Sequence, residues 1–172
     1  MTRSQVQPNV YSFSATIAAC QSGQWQLSRR LFEDMIQLQV VPNLITLNAM
    51  ISSCGDWQEA VTFLEMIERQ GYQPTVVTFG AAITACEKAK KWQHALEVVE
   101  IMSHANIQLN IITFAATISA CEKGGKWQHS LSLFTTMQDL QIHPNTISFN
   151  AAISSCEKGG KLQQALSLFK DM

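Results

Sequence analysis

Cysteine is the most reactive residue type in the sequence, and it recurs at nearly constant intervals. The five thiols lie 34, 32, 35 and 35 residues apart, at Cys20, Cys54, Cys86, Cys121 and Cys156. Thiols can bind a metal, form disulfides or act as nucleophiles, but the sequence has no C-x-x-C pair and no histidine or carboxylate cluster with metal-ligand spacing. An odd number of cysteines argues against a disulfide framework and for a reducing compartment. Because each cysteine follows an alanine or serine on an apolar stripe, we interpret all five as small core residues.

Amide and ammonium groups recur with the same period. Each interval ends in a proline–asparagine pair or a variant of it, at Pro42-Asn43, Pro74-Thr75, Leu109-Asn110 and Pro144-Asn145. Lysines follow the last three cysteines, each directly after a glutamate, at Lys88, Lys123 and Lys158. A side-chain amide carries both donors and acceptors and an ammonium attracts anions, so these groups could recognise a polar anionic ligand. Equally, the asparagines could cap helices and the lysines could belong to a solvated turn, and these alternatives stay open.

Two short helices in each interval must position these groups. In the third copy, apolar residues with the spacing i, i+3, i+4 and i+7 predict a first helix through Phe79, Ala82, Ile83 and Cys86. A second apolar stripe predicts the partner helix through Trp92, Ala95, Leu96, Val99 and Met102. The turn between them is EKAKK at 87–91, and it is EKGGK in copies four and five, where glycines suit a helix end. Leu162 stands in copy five where the other copies have tryptophan, which indicates a packing position.

Composition excludes several classes of protein. The chain has 172 residues, of which 47% are hydrophobic and 15% charged, so it is not intrinsically disordered. A net charge of −1 does not predict a globally basic nucleic-acid binder, and no apolar run reaches the roughly 18 residues of a membrane span. Because no phosphate loop, metal site or nucleophile–base arrangement is present, we predict no catalytic activity, no cofactor and no small-molecule substrate.

One helical hairpin cannot bury both of its apolar stripes alone, whereas stacked hairpins can. The sequence therefore predicts an all-α protein, an α-solenoid of stacked helix-turn-helix repeats without strands. After an N-terminal lead at 1–9, we place the repeats at 10–43, 44–75, 76–110, 111–145 and 146–172, the second being short and the fifth lacking the end of the unit.

The repeated unit resembles the pentatricopeptide repeat. Its form is V-x-[TS]-[YF]-N-A-x-I-S-A-C-x-K-x-G-x-W-x-x-A-L-x-L-F-x-x-M, closed by Pro-Asn, and the resemblance covers residues 10–172. The tetratricopeptide repeat is the nearest alternative, but its first helix carries W-x-x-L-G-x-x-Y, whereas the tryptophans here open the second helix. The resemblance implies a right-handed superhelix whose first helices bind single-stranded RNA, about one base per repeat.

In the family, the fifth residue and the last residue of each repeat specify the base. The resemblance implies the pairs Ser14 with Asn43, Asn48 with Thr75, Gly80 with Asn110, and Ala115 with Asn145, and it adds Asn150 in the last copy. It implies adenine for the first pair and a pyrimidine, preferably cytosine, for the second. Gly80 and Ala115 depart from the family pattern because they have no polar side-chain group, so those two pairs lean only weakly to adenine. We expect the fifth-position residues to be exposed in a row.

The family also implies contacts to the base faces and to the phosphates. Apolar residues at the second position would pack against the bases, at Tyr11, Ile45, Val77, Ile112 and Ile147. Lys88, Lys123 and Lys158 would face phosphates, although Glu87, Glu122 and Glu157 would cancel part of their field. Copies one and two carry Gln21-Ser22 and Gly55-Asp56 at the equivalent places, which predicts a weaker electrostatic contribution there.

Two functions follow from different uses of the same surface. The first is sequence-guided RNA binding in organellar RNA processing, stability, editing or translation, with a chloroplast or mitochondrial location implied by the family alone. The alternative is a protein–protein interaction scaffold that uses the concave face of the solenoid. Neither a membrane nor a small molecule is an expected partner.

Overall fold

The helix starts are set by polar residues that cap them. In the computed structural model, which describes residues 8–20, 24–54 and 56–172, Asn43, Asn110 and Asn145 are the N-cap residues of first helices. The Asn110 Oδ1 accepts hydrogen bonds from the backbone N–H groups of Ile112 and Thr113 at 3.0 and 2.9 Å, and the Thr113 Oγ1 accepts one from the Asn110 N–H at 2.9 Å. This reciprocal capping satisfies donors that a helix leaves unpaired. The helix-cap interpretation of the recurrent asparagines is therefore confirmed.

Ten α-helices and no strand are present within the described residues, in agreement with the predicted all-α class. In chain order they are α1 (Val10–Ala19), α2 (Trp25–Gln37), α3 (Leu44–Ser53), α4 (Trp57–Arg69), α5 (Val76–Lys88), α6 (Trp92–His104), α7 (Ile111–Lys123), α8 (Trp127–Asp139), α9 (Thr146–Lys158) and α10 (Leu162–Asp171). Each predicted repeat interval holds one pair. Residues 1–7 of the predicted lead, together with Gln21, Ser22 and Gly55, lie outside the described part of the chain. Among the described helices, none combines the length and apolar character needed to cross a bilayer.

The first of two compact units ends at Gln73 and contains α1 to α4. Its first helices, α1 and α3, pack side by side, and each also packs against the helix that follows it. Ile17, Ala49 and Met50 form a buried cluster against which Phe32 and Phe63 pack, with those two rings edge to face at 5.3 Å. The stripe that the helical period predicted is thus the surface that joins successive hairpins.

The second unit runs from Pro74 to Met172 and repeats this arrangement over three hairpins. α7 packs between α5 and α9, and α8 packs against both α7 and α9. The core between α7, α8 and α9 includes Phe114, Ile118, Phe134 and Phe149, and the rings of Phe134 and Phe149 meet at 5.0 Å. Successive helix pairs that contact their neighbours in this way form the predicted α-solenoid.

All five cysteines are buried and free, which confirms their interpretation as core residues. Burial raises the pKa of the Cys54 thiol to about 12, with Glu59 and Asp56 adding to the shift. It raises the pKa of Cys86 and Cys121 to about 11. Thiols with such values stay protonated near neutral pH, so they behave as small apolar side chains.

The two glycines of each EKGGK turn have different reasons to be glycine. Gly125 and Gly160 lie in the left-handed region, at φ 68° and 65°, as expected for residues that end a helix. Gly124 does not, and a Cβ atom there would lie 2.4 Å from Cδ1 of Trp92. Gly159 faces Trp127 in the same way, at 2.5 Å. Both glycines lie at the helix end, as predicted, since Gly124 and Gly159 are the C-cap residues, but only the second glycine needs the left-handed backbone, and the first makes room for the tryptophan of the preceding repeat.

Candidate nucleic-acid interface

A large apolar side chain is exposed at the second position of every repeat. The exposed fractions are 73%, 62%, 64%, 65% and 63% for Tyr11, Ile45, Val77, Ile112 and Ile147. Single exposed apolar residues are ordinary on protein surfaces, but here the same position is exposed in each first helix. The helix N-cap fixes this geometry, because the second position lies in the first turn, directly after the capping residue.

The fifth-position residues are not uniformly exposed, so the expected exposed row is wrong for two of them. Ser14 is buried because its Oγ bonds the backbone carbonyl of Val10 and the Oγ1 of Thr46, both at 2.7 Å. Ala115 is only 4% exposed, since α7 packs between two neighbouring first helices. Both side chains are small, and both lie at the interface between adjacent repeats.

Within the first unit, the structure brings the first predicted base-specifying pair together. The Ser14 hydroxyl lies 3.5 Å from Oδ1 of Asn43, at the limit of a hydrogen bond. The same Oδ1 accepts hydrogen bonds from the N–H and the hydroxyl of Thr46, both at 2.9 Å. Its capping role therefore occupies the amide oxygen of Asn43, and the amide nitrogen is the group left to meet a ligand.

The remaining fifth-position residues differ in what they offer. Asn150 is exposed, and Asn48 is partly buried with a carbonyl oxygen that has no hydrogen-bond partner among the described residues. Gly80 is partly exposed, and a Cβ added there would contact only Cγ2 of Thr113, at 3.8 Å. An orphaned amide oxygen is costly unless a ligand or water satisfies it, so Asn48 is the fifth-position residue with an unmet hydrogen bond.

Two of the three predicted phosphate lysines are held by glutamates of the preceding repeat. Lys123 Nζ lies 2.8 Å from Oε1 of Glu87, which also accepts a hydrogen bond from Ser119 at 2.8 Å. Glu87 and Glu122 were expected to act on the lysine next to each in sequence, but each pairs with the lysine of the next repeat instead. Lys88 is exposed and has no ion pair within the described residues.

The arrangement recurs one repeat later. Lys158 Nζ lies 2.5 Å from Oε1 of Glu122, and Ser154 donates a hydrogen bond to the same oxygen at 3.0 Å. Burial alone would raise the pKa of the Glu122 carboxyl. The hydrogen bonds from Lys158 and Ser154 and the positive charge of the lysines outweigh burial, so the pKa lies below the ordinary value of a glutamate. Sequence reasoning missed these serines, although a serine three residues before the glutamate recurs in copies four and five.

Trp92 and Trp127 are packing residues, as the sequence predicts for their position. Trp92 contacts the next repeat through Gly124 and the His129 ring, whose centroid is 5.1 Å away, and Lys126 lies over its face at 5.1 Å. Lys161 covers Trp127 in the same way, at 4.7 Å. These rings join neighbouring repeats, so bases cannot stack on the covered faces. In the described part of the chain, no group of three or more histidine, cysteine or carboxylate side chains could hold a metal ion.

Comparison with known proteins gives a consistent result along the chain. The family model for the pentatricopeptide repeat domain matches residues 1–57, 62–123 and 98–159, and that for the PPR repeat matches residues 147–172. No curated protein sequence matches the chain.

Solved structures that share the fold include the following three. The pentatricopeptide repeat protein PPR10 from maize superposes with a TM-score of 0.75 and 25% identity, over 98% of this chain and 24% of that one. PPR10 in complex with an 18-nt psaJ RNA element gives a TM-score of 0.85 at 18% identity, over 98% and 25% of the two chains. The PPR domain of Arabidopsis thaliana protein-only RNase P 1, in complex with tRNA, gives 0.73 at 17% identity, over 89% and 83%.

The present chain spans about a quarter of the length of PPR10. Its capped helix pairs, its repeated cysteine and tryptophan positions and the family matches over most of its length lead to one assignment. The chain belongs to the pentatricopeptide repeat family.

Proposed function

We propose that the chain binds single-stranded RNA in a sequence-guided manner, with about one base per repeat. The observation that carries the proposal is the exposed apolar residue at the second position of each first helix. Such side chains can pack against the faces of unpaired bases, and Tyr11 can stack on one, a contact worth about 1–3 kcal/mol. The solved complexes of PPR10 with an RNA element and of an RNase P PPR domain with tRNA support RNA as the ligand class.

Base preference in this proposal comes from the fifth and last residues of each repeat. The amide nitrogen of Asn43 donates to an acceptor on the base edge while its oxygen caps the helix, and Ser14 lies beside it. Asn48 with Thr75 reads a pyrimidine, preferably cytosine. Gly80 with Asn110 and Ala115 with Asn145 discriminate through the asparagine alone, which leans weakly to adenine. The expected order from the first repeat to the fourth is adenine, cytosine, adenine, adenine.

The phosphate contacts in this proposal are unequal. Lys88 is available for a phosphate, whereas Lys123 and Lys158 must leave carboxylates to reach one. Electrostatic attraction is therefore weaker than three lysines alone would suggest, and the affinity of the five repeats is modest.

We infer that this RNA binding serves processing, stability, editing or translation of transcripts in a chloroplast or mitochondrion. Membership of the pentatricopeptide repeat family is the basis of this inference. The proposal contains no catalytic step.

A substitution at the second position tests the proposal directly. Ile112→Ser removes an exposed apolar side chain and leaves the core intact, so we expect weaker binding of fluorescent single-stranded RNA that contains A, C, A, A in order. Leu140→Ser is the matched control, because Leu140 is comparably exposed at the end of α8. Equal binding by wild type and both variants would contradict the proposal.

The preference for particular bases needs a second measurement. Asn48→Ala combined with Thr75→Ala should relax the preference at the second base only, as measured with RNAs that differ at that base. If scrambled RNA binds the unmodified chain as well as the expected sequence does, and Lys123→Ala changes neither affinity, the alternative, a protein-interaction scaffold, is favoured. The observation that favours this alternative is the lack of polar side-chain atoms at Gly80 and Ala115 together with the pairing of two lysines.

A further inference from the structure

A serine or threonine occupies the third position of every first helix, at Ser12, Thr46, Thr78, Thr113 and Ser148. From the second repeat onward this side chain is fully buried. In four of the five repeats, its hydroxyl accepts a hydrogen bond from the backbone N–H of the residue that caps the same helix, over 2.8 to 3.1 Å. Thr46 is the exception, because the described structure contains no such bond from Asn43. Its buried hydroxyl therefore has another role.

The Thr46 hydroxyl faces the pair of residues proposed to select the first base. Its Oγ1 lies 2.7 Å from the Ser14 Oγ and 2.9 Å from the Asn43 Oδ1. Ser14 can give its proton to Thr46 because the Val10 carbonyl, its other partner, already accepts a helical N–H. Thr46 can then give its own proton to Asn43, since a hydroxyl both donates and accepts. The three side chains thus form one chain of hydrogen bonds that ends on the amide oxygen.

The Asn43 amide oxygen has fewer backbone donors than the oxygen of its counterpart Asn110. The Asn110 Oδ1 accepts hydrogen bonds from two backbone N–H groups, those of Ile112 and Thr113. Among the described residues, the Asn43 Oδ1 accepts one from the backbone, that of Thr46, and the Thr46 hydroxyl supplies the second. An amide that turns over exchanges its donor for its acceptor. Two hydrogen bonds to the oxygen oppose that exchange.

We propose that Thr46 is a positioning residue for base selection by the preceding repeat. By accepting a hydrogen bond from Ser14 and donating one to Asn43, it keeps the Asn43 amide nitrogen as the group that meets the base. The first base is then selected by three residues from two repeats, with Thr46 acting through the other two. This inference rests on the proposed RNA binding and adds a residue to it.

Thr113, in the second unit, shows the alternative arrangement. The fifth-position residue of its preceding repeat is Gly80, which has no hydroxyl, and a Cβ added there would lie 3.8 Å from the methyl carbon Cγ2 of Thr113. The Thr113 hydroxyl instead donates to the backbone carbonyl of Asn110 at 2.9 Å. In these two repeats, the third-position hydroxyl turns to the preceding repeat where that repeat offers a serine, and to its own helix cap where it does not.

Removal of the Thr46 hydroxyl tests the proposal. Thr46→Val keeps the shape of the side chain, whereas Thr46→Ser keeps the hydroxyl. Binding is measured by fluorescence anisotropy with four RNAs that differ only at the first base. Thr46→Val should reduce the preference for adenine there by roughly 2- to 10-fold, the effect of one lost hydrogen bond, and Thr46→Ser should retain the preference.

Thr113→Val is the matched control. It removes a third-position hydroxyl that bonds the backbone of Asn110, but both N–H groups that hold the Asn110 amide oxygen remain. It should lower the stability in urea and leave the preference at the third base unchanged. An equal loss of preference in the two valine variants, each at its own base, would show that the hydroxyls act through helix capping and would overturn the proposal.

A measurement without RNA tests the hydrogen bond itself. NMR relaxation gives the order parameter of each side-chain amide in the free chain. Asn145 is the internal reference, because its Oδ1 accepts one hydrogen bond in the described structure, from the N–H of Ser148. The Asn43 amide should be the more rigid of the two in the unmodified chain, and in Thr46→Val it should become as mobile as that of Asn145. Equal order parameters in the unmodified chain would overturn the proposal, even if Thr46→Val does not fold.

The proposed function and the role of Thr46 fail in different ways. If the unmodified chain binds the four RNAs equally, the proposed function is contradicted, and the order parameters alone decide whether Thr46 holds the amide. If the unmodified chain prefers adenine and a folded Thr46→Val chain keeps that preference, RNA binding stands and the role of Thr46 is wrong.

Discussion

Replacing Glu87 with glutamine should strengthen RNA binding, which is the reverse of the usual effect of removing a contact between two repeats. Glu87 holds Lys123 at 2.8 Å and so competes with any phosphate for that ammonium group. Glutamine keeps an oxygen for the Ser119 hydroxyl but loses the charge that retains the lysine. Lys123 is then free to contact a phosphate.

The expected magnitudes follow from the exposure of the pair. The side chains of Glu87 and Lys123 are 19% and 37% exposed, and ion pairs in contact with solvent contribute about 0–1 kcal/mol to stability, so the fold should tolerate the change. One added phosphate contact steepens the dependence of log K on log salt by about 0.7 for a single strand. Relative to 1 M salt, that slope corresponds to about a fivefold gain in affinity at 0.1 M.

The assay is fluorescence anisotropy with one RNA at several salt concentrations, and Glu157→Gln is the control. Glu157 has the same place in its repeat but holds no lysine in the described structure, so its loss removes an equal charge without releasing an ammonium group. The double variant Glu87→Gln with Lys123→Ala should lose the gain. If Glu87→Gln and Glu157→Gln change the affinity and the salt slope equally, the lysine does not contact phosphate and the reasoning fails.

Three further substitutions or treatments test the fold and the base-reading group. Gly124→Ala should lower the free energy of unfolding, measured in urea, by about 1–3 kcal/mol, because the added Cβ would clash with Trp92. Adding Trp92→Leu to this variant should recover part of the loss. Additive effects of the two substitutions would contradict the contact. Cys86 is fully buried, so it should react with iodoacetamide at pH 8 only when the chain opens. Burial also raises its pKa to about 11, which leaves about a thousandth of it as thiolate in the folded chain, and fast labelling of the folded chain would refute both statements. Asn43→Asp should keep the unfolding free energy within about 0.5 kcal/mol, because both residues cap helices equally well. At the first base, which Asn43 is proposed to contact, the variant should prefer a base edge that donates a hydrogen bond over one that accepts it, because the carboxylate cannot donate. An unchanged preference among RNAs that differ at the first base would show that the amide does not read it.

The fold was predictable because each repeat contains its own helix-capping residues and its own apolar stripe. Asn110 and Asn145 start helices where the sequence places a cap, and the apolar spacing of Phe79, Ile83 and Cys86 fixes the buried stripe. These signals act within a few residues, so a single sequence contains them. Repetition then adds evidence, since an accidental pattern does not recur in register.

The site was less predictable because it depends on how neighbouring repeats meet. The sequence places Glu87 beside Lys88, but the structure pairs it with Lys123, which lies one repeat further along the chain. Likewise, nothing near Ser14 in the sequence indicates that Thr46 would reach its hydroxyl and bury it. Side chains at the interface between two repeats have neighbours from both hairpins. Which neighbours they meet depends on the rotation of one hairpin relative to the next, and the sequence of a single repeat does not contain that rotation.

The lysines between repeats link the packing of neighbouring repeats to the proposed contact with RNA. Lys123 and Lys158 each stabilise the joint with the preceding repeat, yet they occupy the position at which the family resemblance implies a phosphate contact. A lysine cannot form the ion pair with glutamate and the proposed contact with a phosphate at the same time. RNA that binds the lysine would therefore weaken the contact between the two repeats by the energy of the ion pair. Since an exposed pair contributes about 0–1 kcal/mol, the joint survives on its apolar packing. In the proposed RNA binding, the main effect of the glutamate is to lower the RNA affinity of the following repeat, which carries the lysine. In the proposed RNA binding, Lys88, which has no ion pair among the described residues, carries no such cost, and we expect the electrostatic attraction of the RNA backbone to be strongest at the third repeat.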